Sequence, residues 1–448
     1  MKLIFDVSDK PKAGQLVVFA LQQMLAILAA TIAVPLIIGN GLTPAAAMFG
    51  AGVGTIVYIL FTKRKSPVFL GSSFAFLGSM AAAFAGGVSM QLGMLGLIVG
   101  AFLAGLVYVV IAIVVKFVGV GWLNKLMPAV VIGPTVAIIG LSLAGNAIGD
   151  LVKGDVTKQV TEYAVSTDSG TPEIIETVSN VPVGSSYVAL ICGLITLAVV
   201  MLCSTYGKKT LRLIPFIIGI LAGYAAAAIF TVIGNICDID ALKIVDFSIF
   251  SSYMLTDGSV SLKTFVSLPD FAFVSGLEGL KEFDFSYFAT IFVAYVPVAL
   301  VVFAEHVADH KNLSSIIDHD LLEEPGLTRT LLGDGVGSIA GALFGGCPNT
   351  TYGESVACVA ITGNASVVTI FAAAIGCMLF SFITPLVAFV DSIPACVMGG
   401  VCIALYGFIA VSGLKMIQDA NLDDNRNLFV VSVILIAGIG GLTLTFGD

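Results

Sequence analysis

The sequence predicts an all-α polytopic membrane protein built as two inverted seven-segment repeats, with the third and tenth segments broken and carrying short β-strands. Three observations predict it. Of 448 residues, 58% are hydrophobic and only 11% charged, with a mean hydropathy of +1.06, whereas soluble domains carry about 25% charged residues. There are about thirteen apolar runs of roughly 20 residues, the length that crosses a bilayer. Two of these runs are interrupted by Pro and Gly, which is tolerated at membrane depth only where the freed backbone faces protein or a wet cavity.

The segments are expected in order near 14–39, 43–62, 67–86, 90–118, 128–148, 185–204 and 210–234, and then near 285–309, 327–346, 348–362, 366–390, 393–413 and 428–446. The third begins Ser66-Pro67-Val68-Phe69-Leu70-Gly71-Ser72-Ser73-Phe74, extended in character before a short helix. The tenth opens Gly346-Cys347-Pro348-Asn349-Thr350-Thr351-Tyr352-Gly353-Glu354. It passes through β-favouring residues and then sets a carboxylate at the start of an apolar run too short to span. Polar stretches at 149–184 and 235–283 are expected as long outer loops, the second with an amphipathic helix around 261–280.

Orientation follows from loop charge. With the N-terminus inside, fifteen Lys/Arg lie on the inner side and only Lys153, Lys158, Lys243, Lys263 and Lys281 on the outer. This predicts a cell-membrane protein with a cytoplasmic N-terminus, and Met1–Lys12 reads as no removable signal peptide. The net charge of −9 therefore does not point to basic partners, and nucleic acid is not expected. Seven of the eight cysteines fall in or beside apolar segments, so neither a disulfide framework nor a metal site is expected. No cofactor is implied.

The chain repeats itself. Pro128-Ala129-Val130-Val131-Ile132-Gly133 echoes Pro394-Ala395-Cys396-Val397-Met398-Gly399, Pro35 matches Pro297, and the two broken segments match each other. Each pair lies seven segments apart, so the halves have opposite topology, as in secondary transporters whose site lies where two broken helices meet. A fourteenth segment is due after Asp448, and the expectation is a truncated chain.

Ionisable groups inside membrane segments are functional candidates by default. Glu305, His306, Asp309 and Glu354 stand out. Glu305 and Asp309 share a helix face, with His306 turned about 100° away. His306 reads mainly as a packing histidine, Asp309 as either a site group or a solvated helix end, and His310 and His319 as parts of a solvated inner loop. Half-helix N-termini at Phe74 and at Gly353-Glu354 add backbone N–H donors. Two carboxylate acceptors beside amide donors suit a small planar ligand with alternating N–H and C=O edges, a pyrimidine or a purine. An inorganic anion would want the donors without the acids, and a bare cation the reverse.

Glu305-His306-Val307-Ala308-Asp309-His310, Pro348 through Glu354, and Gly71-Ser72-Ser73-Phe74-Ala75-Phe76 together resemble the uracil permease branch of the nucleobase–ascorbate transporter family. The resemblance runs from about residue 10 to the end. It implies a fourteen-helix inverted repeat with core parts at 1–120 and 285–391 and gate parts at 121–284 and 392–448. It also implies uracil import by proton symport. Glu305 and Glu354 would then hold the ring N–H groups, and the backbone amides of Phe74 and Gly353 the carbonyl oxygens, with Ser355 also expected among the substrate-binding residues. Glu305, Asp309 and Glu354 would serve proton coupling, and Asp309 falls where some members have His and others Asp. The chain departs from the family pattern at Ser355, where the pattern has Asn in the site network, and at Ala357, where it has Gly. It departs again at Gln22-Gln23, where Gln-His is common.

Two acids in a low-dielectric site resist joint ionisation, so one is expected to accept a proton that enters with the substrate. The expected motion is a rocking or elevator-like shift of core against gate. Expected partners are uracil or a related nucleobase, protons and the lipid bilayer, with homodimerisation left open. The rival readings are a xanthine or purine permease on the same scaffold, an anion transporter of the sulfate-permease type, and a non-transporting nucleobase receptor. An enzyme is least expected, for no nucleophile–base constellation appears.

Overall fold

The structure, a computed structural model, describes residues 3–119, 121–122, 128–166, 173–208, 211, 214–254, 259–418 and 420–440. Apolar helices dominate it. In order they begin α1 (Ala13–Ile38) and α2 (Pro44–Phe61), followed by strand β1 (Leu70–Ser72), the half-helix α3 (Leu77–Ala83) and α4 (Met90–Val118). Next come α5 (Ala129–Ser142), α6 (Ala144–Leu151), strands β2 (Thr157–Ser166) and β3 (Glu173–Pro182), α7 (Ser186–Tyr206) and α8 (Pro215–Cys237). The short helices α9 (Ser248–Met254) and α10 (Ala272–Glu278) precede α11 (Phe285–Ile317) and α12 (Leu327–Gly345). Strand β4 (Asn349–Thr351), α13 (Gly353–Thr362), α14 (Val367–Phe380), α15 (Thr384–Asp391), α16 (Ala395–Gln418) and α17 (Asn425–Ile439) complete the chain. Among the described residues, eight helical stretches are long and apolar enough to cross a membrane, with α5 and α6 counted as one stretch. Four further apolar helices are shorter, and two of them are the expected broken segments.

The helices pack in two groups. One gathers α1 to α4 with α10 to α14, and the other gathers α5 to α8 with α16 and α17. Helix α11 touches α5, and α1 touches α8 and α16, so the groups meet along α1 and α11. The outward faces of α7, α8 and α17 are apolar (Ile191, Leu194, Ile229, Ile236, Phe429 and Ile436), as lipid contact requires. In the first group α2 and α12 approach backbone to backbone. A Cβ at Gly50 would lie 2.4 Å from Gly341 O, and one at Gly337 would lie 2.8 Å from Gly54 O, so this crossing admits no side chain.

Several boundaries differ from expectation. Helix α11 runs on past Asp309 to Ile317, because Leu313 and Ile317 continue its buried stripe at helical spacing. The expected run at 366–390 is two helices, α14 and α15. The break is stitched to the segment before α10 by Ser267 N donating to Phe382 O and Thr384 N donating to Phe265 O, and Pro385 stands in the first turn of the new helix. The loop at 149–184 holds the antiparallel β2–β3 hairpin. The helix expected around 261–280 is the shorter α10, flanked by single turns at Leu262–Thr264 and Gly279–Lys281. The final expected run is helical over α17, and residues 441–448 lie outside the described residues.

Residues 4–7 form a strap on the face that carries the N-terminus. Ile4 N donates to Gly363 O at 2.7 Å and Ala365 N to Phe5 O at 2.9 Å, fastening the turn between α13 and α14. On the opposite face, which carries the β2–β3 hairpin, Asp155 Oδ1 accepts the first N–H of α16, Ala395 N, at 3.1 Å. Burial, with Asp150 and Asp246 nearby, pushes the Asp155 carboxyl up to about 6.

Candidate functional site

The site is built where the broken segments cross. β1 and β4 pair antiparallel, Leu70 opposite Thr351, Gly71 opposite Thr350 and Ser72 opposite Asn349. The ladder is short because each strand leads at once into a helix: a turn at Phe74–Phe76 and then α3 on one side, α13 on the other. Main chain closes both ends of the crossing, with Ser73 N donating to Pro348 O at 2.9 Å and Tyr352 N to Phe69 O at 3.2 Å. Thr55 on α2 accepts from Leu70 N at 2.9 Å. Asn349 donates from Nδ2 to Gly50 O at 3.0 Å and takes Ser338 Oγ as acceptor for its own N–H. Gly71 is required here. A Cβ on it would come within 2.3 Å of the Tyr352 ring, which lies across the strand to donate its hydroxyl to Ser72 O.

Neither helix start beyond the crossing is capped by a side chain. The first ladder bond of α13 runs from Val356 N to Tyr352 O at 3.2 Å, so the N–H groups of Gly353, Glu354 and Ser355 have no partner within the helix ladder. The macrodipole adds partial positive charge at that point. Gly353 is open to a cavity of about 350 Å³, whose wall also holds Phe74, Thr351, Glu354, Glu305 and Asp309. The structure thus brings together Glu305, Asp309, Phe74, Gly353 and Glu354. Asp309 is a cavity residue and not a solvated helix end. Its Oδ2 accepts from Thr351 Oγ1 at 2.9 Å, and its Oδ1 lies 3.9 Å from where a Cβ on Gly353 would stand.

Ser355 is placed differently. It is fully buried behind the cavity wall, where its Oγ accepts from Phe69 N at 3.1 Å and from Gln23 Nε2. It therefore ties α13 to both the other broken segment and α1. Gln23 and Ser355, two positions at which the resemblance implies a departure, are in direct contact.

The other face of α11 is shut. His306 and His310 are both buried, with ring centroids 4.0 Å apart. His306 bonds Asp334 Oδ2 at 2.7 Å and Thr330 Oγ1 at 3.1 Å, the packing role expected of it. His310 does not belong to a solvated loop. Its Nδ1 meets His306 O at 2.7 Å and its Nε2 meets Tyr58 OH at 2.6 Å, because α11 continues beyond Asp309 and turns this side chain onto α2. His319 is exposed. Asp334 is an intramembrane acid that the sequence expectations pass over. The signal was present, a lone carboxylate in the apolar run 327–346, but the flanking Gly333 and Gly335 give it the look of a turn.

A second cavity of about 510 Å³ shares Phe74, Ala75 and Ile139 with the first and continues past them toward the hairpin face, along Ser142, Val298 and Ala437. The first extends the other way, to Asn312, Ile361 and Met416 near the ends of α11, α13 and α16. The ring of Phe74 packs edge-on against Tyr406 of α16, with centroids 5.6 Å apart.

Comparison with known proteins places the chain in a family and a fold. A family model described as Permease family matches residues 14–172 and 171–446. The uracil permease of Bacillus caldolyticus is 36% identical over 451 residues, covering 100% of this chain and 90% of that protein. The uracil permease of Escherichia coli (strain K12) is 33% identical over 443 residues, covering 98% of this chain and 88% of that protein. Among solved structures, the transmembrane domain of a cyanobacterium bicarbonate transporter, BicA, matches with a TM-score of 0.64 at 13% identity, covering 97% of this chain and 98% of that one. SLC26A9 matches at 0.58, also at 13% identity, covering 97% of this chain and 63% of that one. At such identity these two speak for the fold alone. The chain belongs to the Permease family, in the branch whose curated members are named uracil permeases, and is a multi-pass membrane transporter rather than an enzyme.

Proposed function

We propose that this chain imports uracil by proton symport, the base being held at the membrane midplane between the two half-helices and the acid of α11. One observation carries the reading. A single cavity offers three carboxylates, Glu305, Asp309 and Glu354, beside two uncapped helix starts, in a chain that matches uracil permeases along its whole length. Glu305 and Glu354 accept the ring N–H groups, while the amides of Phe74 and Gly353 donate to the carbonyl oxygens. Ser355 is a positioning residue in this reading, acting through Glu354 and the strand crossing.

Glu305, Asp309 and Glu354 crowd one low-dielectric cavity, where joint ionisation is opposed by desolvation and by mutual repulsion. A proton taken up with the base lowers the charge that must cross, and each elementary charge moved against the membrane potential costs about 2.3 kcal/mol per 100 mV. Residues 1–120 and 285–391, which hold α1 to α4 and α11 to α15, are the moving core. The group of α5 to α8 with α16 and α17 is the gate. Phe74 and Ile139, on the wall shared by the two cavities, form the barrier that the motion crosses. The inverted repeat, the cytoplasmic N-terminus and the cell membrane belong to the same proposal.

The test is uptake of labelled uracil into proteoliposomes with imposed pH gradients. Uptake is expected to rise with an inward proton gradient and to fall about 100-fold or more in Glu354→Gln. Uptake indifferent to the gradient, or untouched by that substitution, overturns the proposal. Xanthine added in excess distinguishes a purine carrier, since it should leave uracil uptake unaffected here.

A further inference from the structure

We infer that the cavity holds a second, shallower nucleobase subsite at its mouth, where the side-chain amide of Asn312 reads the N–H/C=O edge of the base. This inference rests on the nucleobase reading above. Asn312 lines the same cavity as Glu305 and Asp309, and spacings of four and three residues place all three on one face of α11. At a helical rise of about 1.5 Å per residue, Asn312 stands about 10 Å farther toward the N-terminal face than Glu305. It marks a separate position along the cavity.

Two features suit that position to a base. Asn312 is exposed, and its side chain has no hydrogen-bond partner among the described residues, whereas Thr351 on the same wall is committed to Asp309. The same cavity wall also holds the apolar residues Phe216, Ile361, Ile409 and Met416, which offer surfaces for the faces of a flat ring. A carboxamide presents one acceptor and two donors, the complement of an adjacent N–H and C=O on a neutral lactam. Asn matches base edges elsewhere by the same geometry.

The subsite carries no formal charge at Asn312, so it holds the base more weakly than Glu305 and Glu354 do. That makes it a station for release and re-entry on the N-terminal side. The ligand class is a neutral pyrimidine or purine with at least one lactam edge. Substrate arriving from the N-terminal face meets Asn312 first, and substrate arriving from the hairpin face meets it last. Half-saturation at the two faces should therefore depend on Asn312 unequally.

The experiment uses labelled uracil with right-side-out and inside-out membrane vesicles carrying the wild type, Asn312→Leu, Asn312→Ser or Asn312→Gln. The leucine variant is expected to raise the half-saturating concentration at the N-terminal face relative to the hairpin face by about tenfold, the scale of losing one to two hydrogen bonds. The serine variant, too short to reach the base, gives the same reading should the leucine variant misfold. The glutamine variant, which keeps the amide on a longer stem, should recover part of the loss. A ratio unchanged in the leucine or serine variant, with the wild type transporting normally, overturns the subsite and leaves the proposed function standing. Wild-type vesicles that carry no uracil overturn the nucleobase reading itself.

Discussion

Helix α11 presents polar groups on two faces, and the two faces are treated differently. On one, Glu305 and Asp309 look into the cavity, and the hydrogen bond from Thr351 leaves most of their acceptor capacity unused. On the other, His306 and His310 are sealed against α2 and α12 with every ring nitrogen matched. The partners even decide where protons sit. His310 Nδ1 must donate to a backbone carbonyl, so Nε2 accepts from Tyr58 OH. Thr330 gives its own proton to Leu327 O, so it accepts from His306 Nε2, and one proton is left between His306 Nδ1 and Asp334 Oδ2. The lesson concerns how membrane-buried polar residues are read. Depth alone does not mark a site; unused hydrogen-bonding capacity facing a cavity does.

The largest effect that tests this contrast is on the sealed face. Asp334→Ala strands His306 without its partner, and breaking a buried pair of this kind costs about 3–5 kcal/mol. The expected outcome is a sharp loss of folded protein in detergent, followed by thermal unfolding on a size-exclusion column, while surviving transporter keeps its half-saturation for uracil. Normal stability with abolished transport would merge the two faces into one site and break the comparison. A smaller effect is expected on the open face. Thr351→Val removes the one donor that Asp309 has among the described residues, at nearly constant volume, and uptake should weaken about three- to tenfold with unfolding temperature unchanged.

The smallest effect belongs to an acid outside the membrane. Asp155 binds its proton more tightly folded than unfolded, since its carboxyl is raised from 3.8 to about 6. The fold therefore gains stability as pH falls from about 7 toward 5, and the gain is lost again as pH rises through 6. Asp155→Asn keeps an acceptor for Ala395 N but cannot titrate. It should remove a pH-dependent shift of about 1–2 °C between pH 7 and pH 5. A wild type whose unfolding temperature is flat over that range would show that Asp155 is not held as its burial implies.

Much of the site was legible because chain-local rules wrote it. Pro67, Gly71, Pro348 and Gly353 mark the breaks, the β-favouring residues between them mark the strands, and Glu354 stands at a helix start. What stayed hidden depends on partners remote in sequence. His310 looks solvated beside Lys311 and Asp318, yet its burial is decided by Tyr58, 252 positions away. Ser355 follows Glu354 and reads as a second ligand, but the first turn of α13 rotates it onto Gln23 and Phe69. The break between α14 and α15 is set by a strand-like contact from Phe265–Ser267, which no apolar run records.

The glycine crossing of α2 and α12 has a mechanical consequence. Interdigitated side chains absorb a push by changing rotamer, but two backbones in contact have no such slack. Displacement reaching α2 is handed directly to α12. Asn349, hooked to Gly50 O and to Ser338, passes it on to the strand that ends beside Gly353. The pair works as a stiff lever, and a single methyl group at Gly50 or Gly337 would pry it apart.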